Sequence, residues 1–379
     1  MPILIAWLCA VFALGGVAYY VLCIWSARAF LRTSPAASGF TPSVSILKPL
    51  KGIDPEIYEA FRSHCLQRYS EFEIIFGVSD PNDAAIPLVR RLQQEFPKRR
   101  IELVVAERSL GANGKISTLA QMLPHARFDH LIVNDSDIVV QRDYLARVMA
   151  PFADPSVGMV TCLYRGIAGR TLGSKLEAIG IGTDFIAGVL SARVLQGVKF
   201  GLGSTLAFKR GSLEKIGGFE ALLDHLADDY ELGARIAANG ERVVVSDVMV
   251  DHHLPPYKFG EFFQHQLRWA RAVRDSRKLD YVGLGFTFGL PWSLLAVAFS
   301  LAAQWSFWLL AAALVTRLLM AFVVAGGVLG DRRVLRNIWL LPLRDVIALL
   351  VWIASFAGHT IVWRGDRFVL ENGRLRPAK

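Results

Sequence analysis

Cysteine is scarce in this chain, with four among 379 residues (Cys9, Cys23, Cys65 and Cys162) and no paired spacing between them. That pattern excludes a disulfide scaffold and a cysteine-based zinc module, and it fits a reducing compartment. Charge is thin as well, at 20% of residues against 53% hydrophobic, and long basic runs are missing. Without a zinc-finger spacing or an RNA-binding signature, the net charge of +9 points to loops near anionic lipid headgroups and not to nucleic acid. Internal repeats and low-complexity stretches are absent too, so the chain reads as a folded domain plus membrane segments.

The hydrophobic excess, a mean hydropathy of +0.37, collects at the two ends. Ile3 to Trp25 carries no charge and is about long enough to cross a bilayer. No basic residue precedes it, whereas Arg28 and Arg32 follow. This favours a membrane anchor over a signal peptide and places the next domain on the cytoplasmic side. Three further apolar segments come late, at Leu284 to Ala303, Trp305 to Leu329 and Ile338 to Trp363. Arg277 and Lys278, and then Arg332, Arg333 and Arg336, give those segments cytoplasmic flanks. The tail conflicts with this count. If all the segments cross, Arg364, Arg367, Arg374, Arg376 and Lys379 end up outside. Either the tail breaks the rule, or the last segment, interrupted by Pro342, Arg344 and Asp345, dips in without crossing. The expected organisation is an anchor over 1–32, a cytoplasmic catalytic domain over 33–256, an amphipathic interface helix over 257–282 and a membrane cluster with tail over 283–379, in an integral membrane protein of a bacterial inner membrane.

Within the middle region, apolar strands alternate with helices. Thr33 to Pro42 reads as a linker. Ser43 to Leu47 is a strand running into Lys48-Pro49-Leu50-Lys51-Gly52, and Asp54-Pro55-Glu56 opens a helix to about Leu66. Glu73 to Val78 is a strand ending near Asp80, Leu88 to Phe96 has helical spacing, and Ile101 to Ala106 is a third strand. Asn113-Gly114-Lys115 starts another helix, and Leu131-Ile132-Val133 is the buried strand that leads into Asp135 and Asp137. Such alternation predicts an α/β fold with a mostly parallel, Rossmann-like sheet and right-handed crossovers. Acids at the ends of successive strands then face one crevice.

The spacing of those acids suggests chemistry. Asp135 and Asp137, two residues apart in a turn, can reach one Mg²⁺ or Mn²⁺ whose remaining ligands are substrate phosphate oxygens. A solvated turn would look the same when taken alone. Asp80 can accept from a ribose or base, and Lys48, Lys51 and Lys115 can neutralise phosphate. Phe200 to Phe208 places small residues between apolar ones, which suits close backbone approach or a glycine-containing strand. Asp228 and Asp229 stand at a helix start, with Asp229 the candidate general base and Asp228 the weaker one. From Tyr257 to Lys278, Phe259, Phe262, Phe263, Leu267, Ala270 and Val273 recur at helical spacing opposite Arg268, Arg271 and Arg274. This pattern fits a helix in the headgroup layer or one packed on the domain. Arg268 beside Trp269 can grip a diphosphate.

In this order and rough spacing, Lys48-Pro49-Leu50-Lys51-Gly52, Val78-Ser79-Asp80, Asn134-Asp135-Ser136-Asp137, Asp228-Asp229-Tyr230 and Arg268-Trp269 resemble the membrane-bound inverting glycosyltransferases of GT-A fold, and among them the ceramide glucosyltransferases. The resemblance covers the chain nearly end to end. It implies that Asp80 contacts the nucleotide, Asp135 and Asp137 manage metal and diphosphate, and Asp229 is the base. It also implies that Arg268 and Trp269 belong to a Gln/Arg-x-x-Arg-Trp motif, whose first position is His265 here. Arg344 and Asp345 look like a family feature and read as an intramembrane ion pair. The implied donor is a UDP-sugar, with glucose before N-acetylglucosamine. The implied acceptor is ceramide, or a hopanoid polyol as in similar bacterial enzymes. A non-catalytic binding protein is the contrasting class, and the intact acids at 80, 135, 137 and 229 argue against it.

Overall fold

The structure, a computed structural model, describes residues 2–33, 39–363 and 366–377. The middle of the expected linker, together with Arg364 and Lys379 of the tail, lies outside them. The first apolar run is one long helix, α1 (Pro2–Leu31). Behind it come β1 (Val44–Leu50), α2 (Ile57–Cys65), β2 (Phe72–Val78), α3 (Ile86–Glu95), β3 (Arg100–Val105), α4 (Gly114–Met122) and β4 (His130–Val133), close to the expected positions. Both β1 and β2 are buried almost throughout, which is why their sequence is continuously apolar and not alternating. One local expectation changes. Glu56, in the left-handed region at φ 54°, occupies the N-cap of α2, and the Asp54 carboxylate accepts instead from the Ser136 hydroxyl.

Next come β5 (Ile138–Val139), α5 (Tyr144–Met149), β6 (Val157–Ile167), α6 (Leu172–Gly180), α7 (Ile186–Gln196), β7 (Leu206–Lys209), α8 (Arg210–Lys215), α9 (Asp228–Ala238) and β8 (Arg242–His253). The large sheet has the order β3-β2-β1-β4-β7-β6-β8-β5. Its first four strands are parallel neighbours, as expected, whereas β7 enters antiparallel between β4 and β6. Of the stretch Phe200 to Phe208, only the end is strand, and the glycines lie in the loop ahead of it.

The long helix predicted after Tyr257 is α10 (Phe259–Ser276). It buries Phe262 and Leu267 and packs against α6. The remaining helices are α11 (Lys278–Gly283), α12 (Gly289–Phe299), α13 (Gln304–Ala321), α14 (Arg332–Arg336) and α15 (Leu341–Ser355). The first late segment is not one straight span, because 278–287 and 289–299 meet at a bend of 58°. Where α12 crosses α1, a Cβ on Gly16 would come within 2.2 Å of the Gly289 Cα, so only glycine permits that backbone contact. The third late segment ends at Ser355, and α15 runs along α10, with Arg344 bonded to Gln266 at one end and Arg274 bonded to the Ser355 carbonyl at the other.

The tail forms a second sheet, β9 (Thr360–Trp363), β10 (Asp366–Glu371) and β11 (Arg374–Pro377). It docks on the catalytic domain: the Leu375 N–H donates to the Asp224 carbonyl (2.7 Å) and the Leu226 N–H to that of Gly373 (3.2 Å). Arg271 and Arg274 of α10 donate to carbonyls at Thr360, Ala357 and Gly358, so these two cations anchor the chain end instead of facing solvent or headgroups. The tail is therefore packed on the catalytic domain.

Among the described residues, four helices are long and apolar enough to cross a membrane, or up to five if the bent pair counts as one span. One of them, over 172–196, is an apolar segment that reading the sequence did not single out. A single apolar cluster runs from the sheet (Ile46, Ile74, Val160) through α7 into α1 and α13. These apolar helices are thus packed onto the domain that carries the acids.

Candidate active site

The acidic turn after β4 is held from beneath by buried groups. Asn134, fully buried, donates to the Ser204 carbonyl (2.7 Å) and lies 3.2 Å from His64 Nε2. Lys48 is also fully buried, and its Nζ donates to the Asp135 carbonyl at 2.9 Å. Burial pulls the Lys48 ammonium down to about 7, against the pull of Asp137 and Asp135. Its place is under the turn, which it braces.

The two motif carboxylates face different partners. Asp135 meets Lys115 Nζ at 2.8 Å, and the same ammonium lies 3.3 Å from Asp228 Oδ2. Asn113 makes this possible, because its side chain caps α4 through the Ile116 N–H (3.2 Å) and so sets Lys115 in the first turn. Burial would lower the Lys115 pKa, but Asp135, Asp228 and Asp229 hold it well above its usual value. Asp137 Oδ2 sits 3.0 Å from His252 Nε2 at the end of β8. Burial would raise the Asp137 carboxyl, yet His252 keeps it below its usual range, while Asp137 outweighs burial at His252 and pushes that imidazole up to about 9. Asp137 Oδ1 is buried and makes no hydrogen bond among the described residues.

Asp229 stands in the first turn of α9, as the sequence suggested. Its Oδ2 accepts from the Gly203 N–H at 2.9 Å, and its Oδ1 from the Tyr230 N–H at 2.8 Å. Burial and the neighbouring Asp228 push its carboxyl up to about 6, opposed by Lys115. Gly203 explains the small residues in this loop. A Cβ there would lie 3.0 Å from Asp135 Oδ2 and 3.3 Å from Asp229 Oδ2, so two carboxylates from distant elements close on one backbone position.

Across from the acids is an aromatic wall. Trp269 meets Phe185 at 5.9 Å and His265 at 5.5 Å, and His265 stacks on Tyr257 at 5.2 Å. Tyr164 links the wall to the acids, with its ring 5.6 Å from both Phe185 and His252. Arg268 is half-buried beside these groups. Asp80 lies exposed beyond the end of β2, its carboxylate accepting from the Asn82 N–H at 2.8 Å. Lys51, also exposed, follows β1, where Asp83 ties down the adjoining Gly52 N–H at 2.9 Å.

Arg344 and Asp345 do not form the expected pair. Asp345 takes both of its bonds from Arg317 of α13, at 2.8 Å each, while Arg344 donates to Gln266 Oε1 at 2.8 Å. Successive helical residues point about 100° apart and do not face each other. Reading the sequence also missed His252, Tyr164, Phe185 and Glu177. Only His252 had a local signal, Asp251-His252-His253 closing the apolar run Val243 to Val250.

A large, mostly parallel sheet of this order, with acids gathered at its strand ends, is the fold of a GT-A glycosyltransferase. The profile of glycosyl transferase family 21 matches residues 8–376, and the chain belongs to that family. It is 24% identical over 351 residues to ceramide glucosyltransferase 1 of Caenorhabditis elegans, covering 89% of this chain and 74% of the relative. With the ceramide glucosyltransferase of Candida albicans it shares 35% identity over 107 residues, 25% of this chain and 20% of the relative. Its fold is similar to that of the mannosyltransferase from Pyrobaculum calidifontis solved with GDP-Man and Mn²⁺. There the TM-score is 0.59 at 21% identity, over 94% of this chain and 99% of the other.

Proposed function

We propose that this glycosyltransferase moves a hexose, glucose first, from a UDP-sugar to the hydroxyl of a membrane lipid of ceramide type, with inversion. The observation that carries the mechanism is the convergence of Asp229 and Asp135 on Gly203, beside the Asp137–His252 pair. In a single displacement Asp229 takes the proton of the lipid hydroxyl as that oxygen attacks the anomeric carbon. A carboxyl raised to about 6 is ionised at neutral pH and is still a stronger base than an ordinary aspartate. Lys115 and Asp135 face the region of departing charge, and Asp80 is placed for the nucleoside.

Asp137 and His252 would fit a divalent cation that displaces the proton between them: a carboxylate oxygen and an imidazole nitrogen lie together, and Asp137 Oδ1 makes no hydrogen bond among the described residues. No group of three metal-ligating side chains converges among the described residues. A cation here would take its other ligands from the donor diphosphate, as Mg²⁺ and Mn²⁺ commonly do. When bound, it would neutralise charge on the leaving nucleoside diphosphate. The helices packed on the domain supply the membrane context, with the catalytic domain facing the cytoplasm.

The test is a transfer assay on the full chain in detergent with Mn²⁺ or Mg²⁺, offering UDP-glucose or UDP-N-acetylglucosamine against ceramide or bacteriohopanetetrol, with products read by mass spectrometry. A β-linked glucosylceramide is expected. Retention of configuration would overturn the displacement, and a glycosylated hopanoid would move the acceptor while keeping the chemistry.

A further inference from the structure

The apolar segment over 172–196 carries two features that the mechanism leaves unused. The first is Glu177, only 2% exposed, on α6. Its Oε2 accepts from Gln266 Nε2 at 2.8 Å and lies 3.5 Å from His265 Nδ1. Gln266 in turn accepts from Arg344 at 2.8 Å, so a buried chain Arg344–Gln266–Glu177 ends on the imidazole. His265 Nδ1 is itself buried without a hydrogen bond among the described residues. A carboxylate is costly to bury and is held where it orients another group.

The second feature is a π turn, Ile181–Phe185, between α6 and α7. Such widened turns frequently mark functional sites. Arg317, paired with Asp345, secures it by donating to the Thr183 carbonyl (2.9 Å) and hydroxyl (3.2 Å). From this turn Phe185 meets Tyr164, whose ring also lies 5.6 Å from His252. Through Trp269 and Tyr164, the polar pair and Phe185 therefore connect to the Asp137–His252 pair.

Resting on the acceptor reading above, we propose that His265, oriented by Glu177, makes a second polar contact to the acceptor. It takes a hydrogen-bonding group a few atoms from the reacting hydroxyl, while Phe185 supports the adjoining apolar carbons. The ligand class is a lipid alcohol with an amide or second hydroxyl close to its primary hydroxyl; a plain long-chain alcohol lacks the group that His265 reads. His265 would touch substrate, whereas Glu177 is a positioning residue.

The experiment compares kcat/KM for ceramide with that for hexadecanol, using the full chain in detergent and UDP-glucose as donor. Wild type is expected to favour ceramide at least tenfold. Glu177→Gln and His265→Ala are expected to shrink that preference to about twofold by raising the ceramide KM, with KM for UDP-glucose unchanged. His265→Gln, which keeps a donor and an acceptor, is expected to retain most of it. Thermal melting curves matching wild type show that each variant is folded. A wild type without preference, or variants that lose turnover equally for both alcohols, would overturn the inference and leave the acceptor reading standing. Transfer to no lipid alcohol at all would remove that reading and this inference with it.

Discussion

The acidic cluster and the aromatic wall flank one reaction point but are held in different ways. Around Asp135 and Asp137 the support is buried and immediate: Lys48 donates to the Asp135 carbonyl, Asn134 to the Ser204 carbonyl in the facing loop, and Asn113 to the His225 carbonyl ahead of Asp228. Phe185 and His265 are held from outside the site, by Arg317–Asp345 behind one and by Glu177–Gln266–Arg344 behind the other. Changes at the acidic end should therefore act on chemistry and metal. Changes behind the wall should act on stability and on the lipid.

The sharpest way to break this contrast is at the base. Asp229→Asn is expected to lower kcat by about 10³-fold, within the range for a general base. Binding of UDP-glucose by calorimetry should stay within about twofold of wild type; near-normal turnover would remove Asp229 from the mechanism. Behind the wall, Arg317→Met strands a buried Asp345 and is expected to cost about 3–5 kcal/mol. Adding Asp345→Leu should restore most of that loss, because no lone charge then remains. Equal melting temperatures for the single and double variants in detergent would show that the pair is no clamp.

A smaller effect is expected at His252. His252→Ala should weaken Mn²⁺ affinity about 10–100-fold, measured by calorimetry with UDP present, and turnover should recover at high Mn²⁺. The mildest test is pH. Asp229 must be ionised to act, and its carboxyl is raised to about 6, so kcat/KM should climb to about pH 6 and level off above it. The sign for stability is opposite. A carboxyl whose folded pKa is raised favours the protonated form, so its contribution is present at low pH and is lost as pH rises from the ordinary carboxylate range through about 6. Asp228→Asn removes the neighbouring charge and should shift the activity limb down by less than about one unit.

Much of the acidic cluster was readable because its signals are local. A buried strand running into Asp135 and Asp137, an asparagine cap ahead of Lys115, and acids at the start of α9 each depend on residues within a turn of one another. The resemblance then joined those pieces in order. The contacts behind the aromatic wall had no such signals. Nothing local says that Arg317 reaches Thr183 across 134 residues, or that Glu177 meets Gln266 across 89. Adjacency even misled, since Arg344 and Asp345 point to different neighbours.

The sequence by itself determined the anchor helix, the parallel half of the sheet and the acids at its strand ends, because strand burial, helix capping and apolar length are written in neighbouring residues. Only the tertiary structure decided that β7 enters antiparallel beside β4, that β8 carries His252 to Asp137, and that the tail folds back on the domain as a sheet. Those outcomes depend on which distant surfaces bury each other and which buried charges find a partner. A linear pattern cannot specify that choice before the chain has closed on itself.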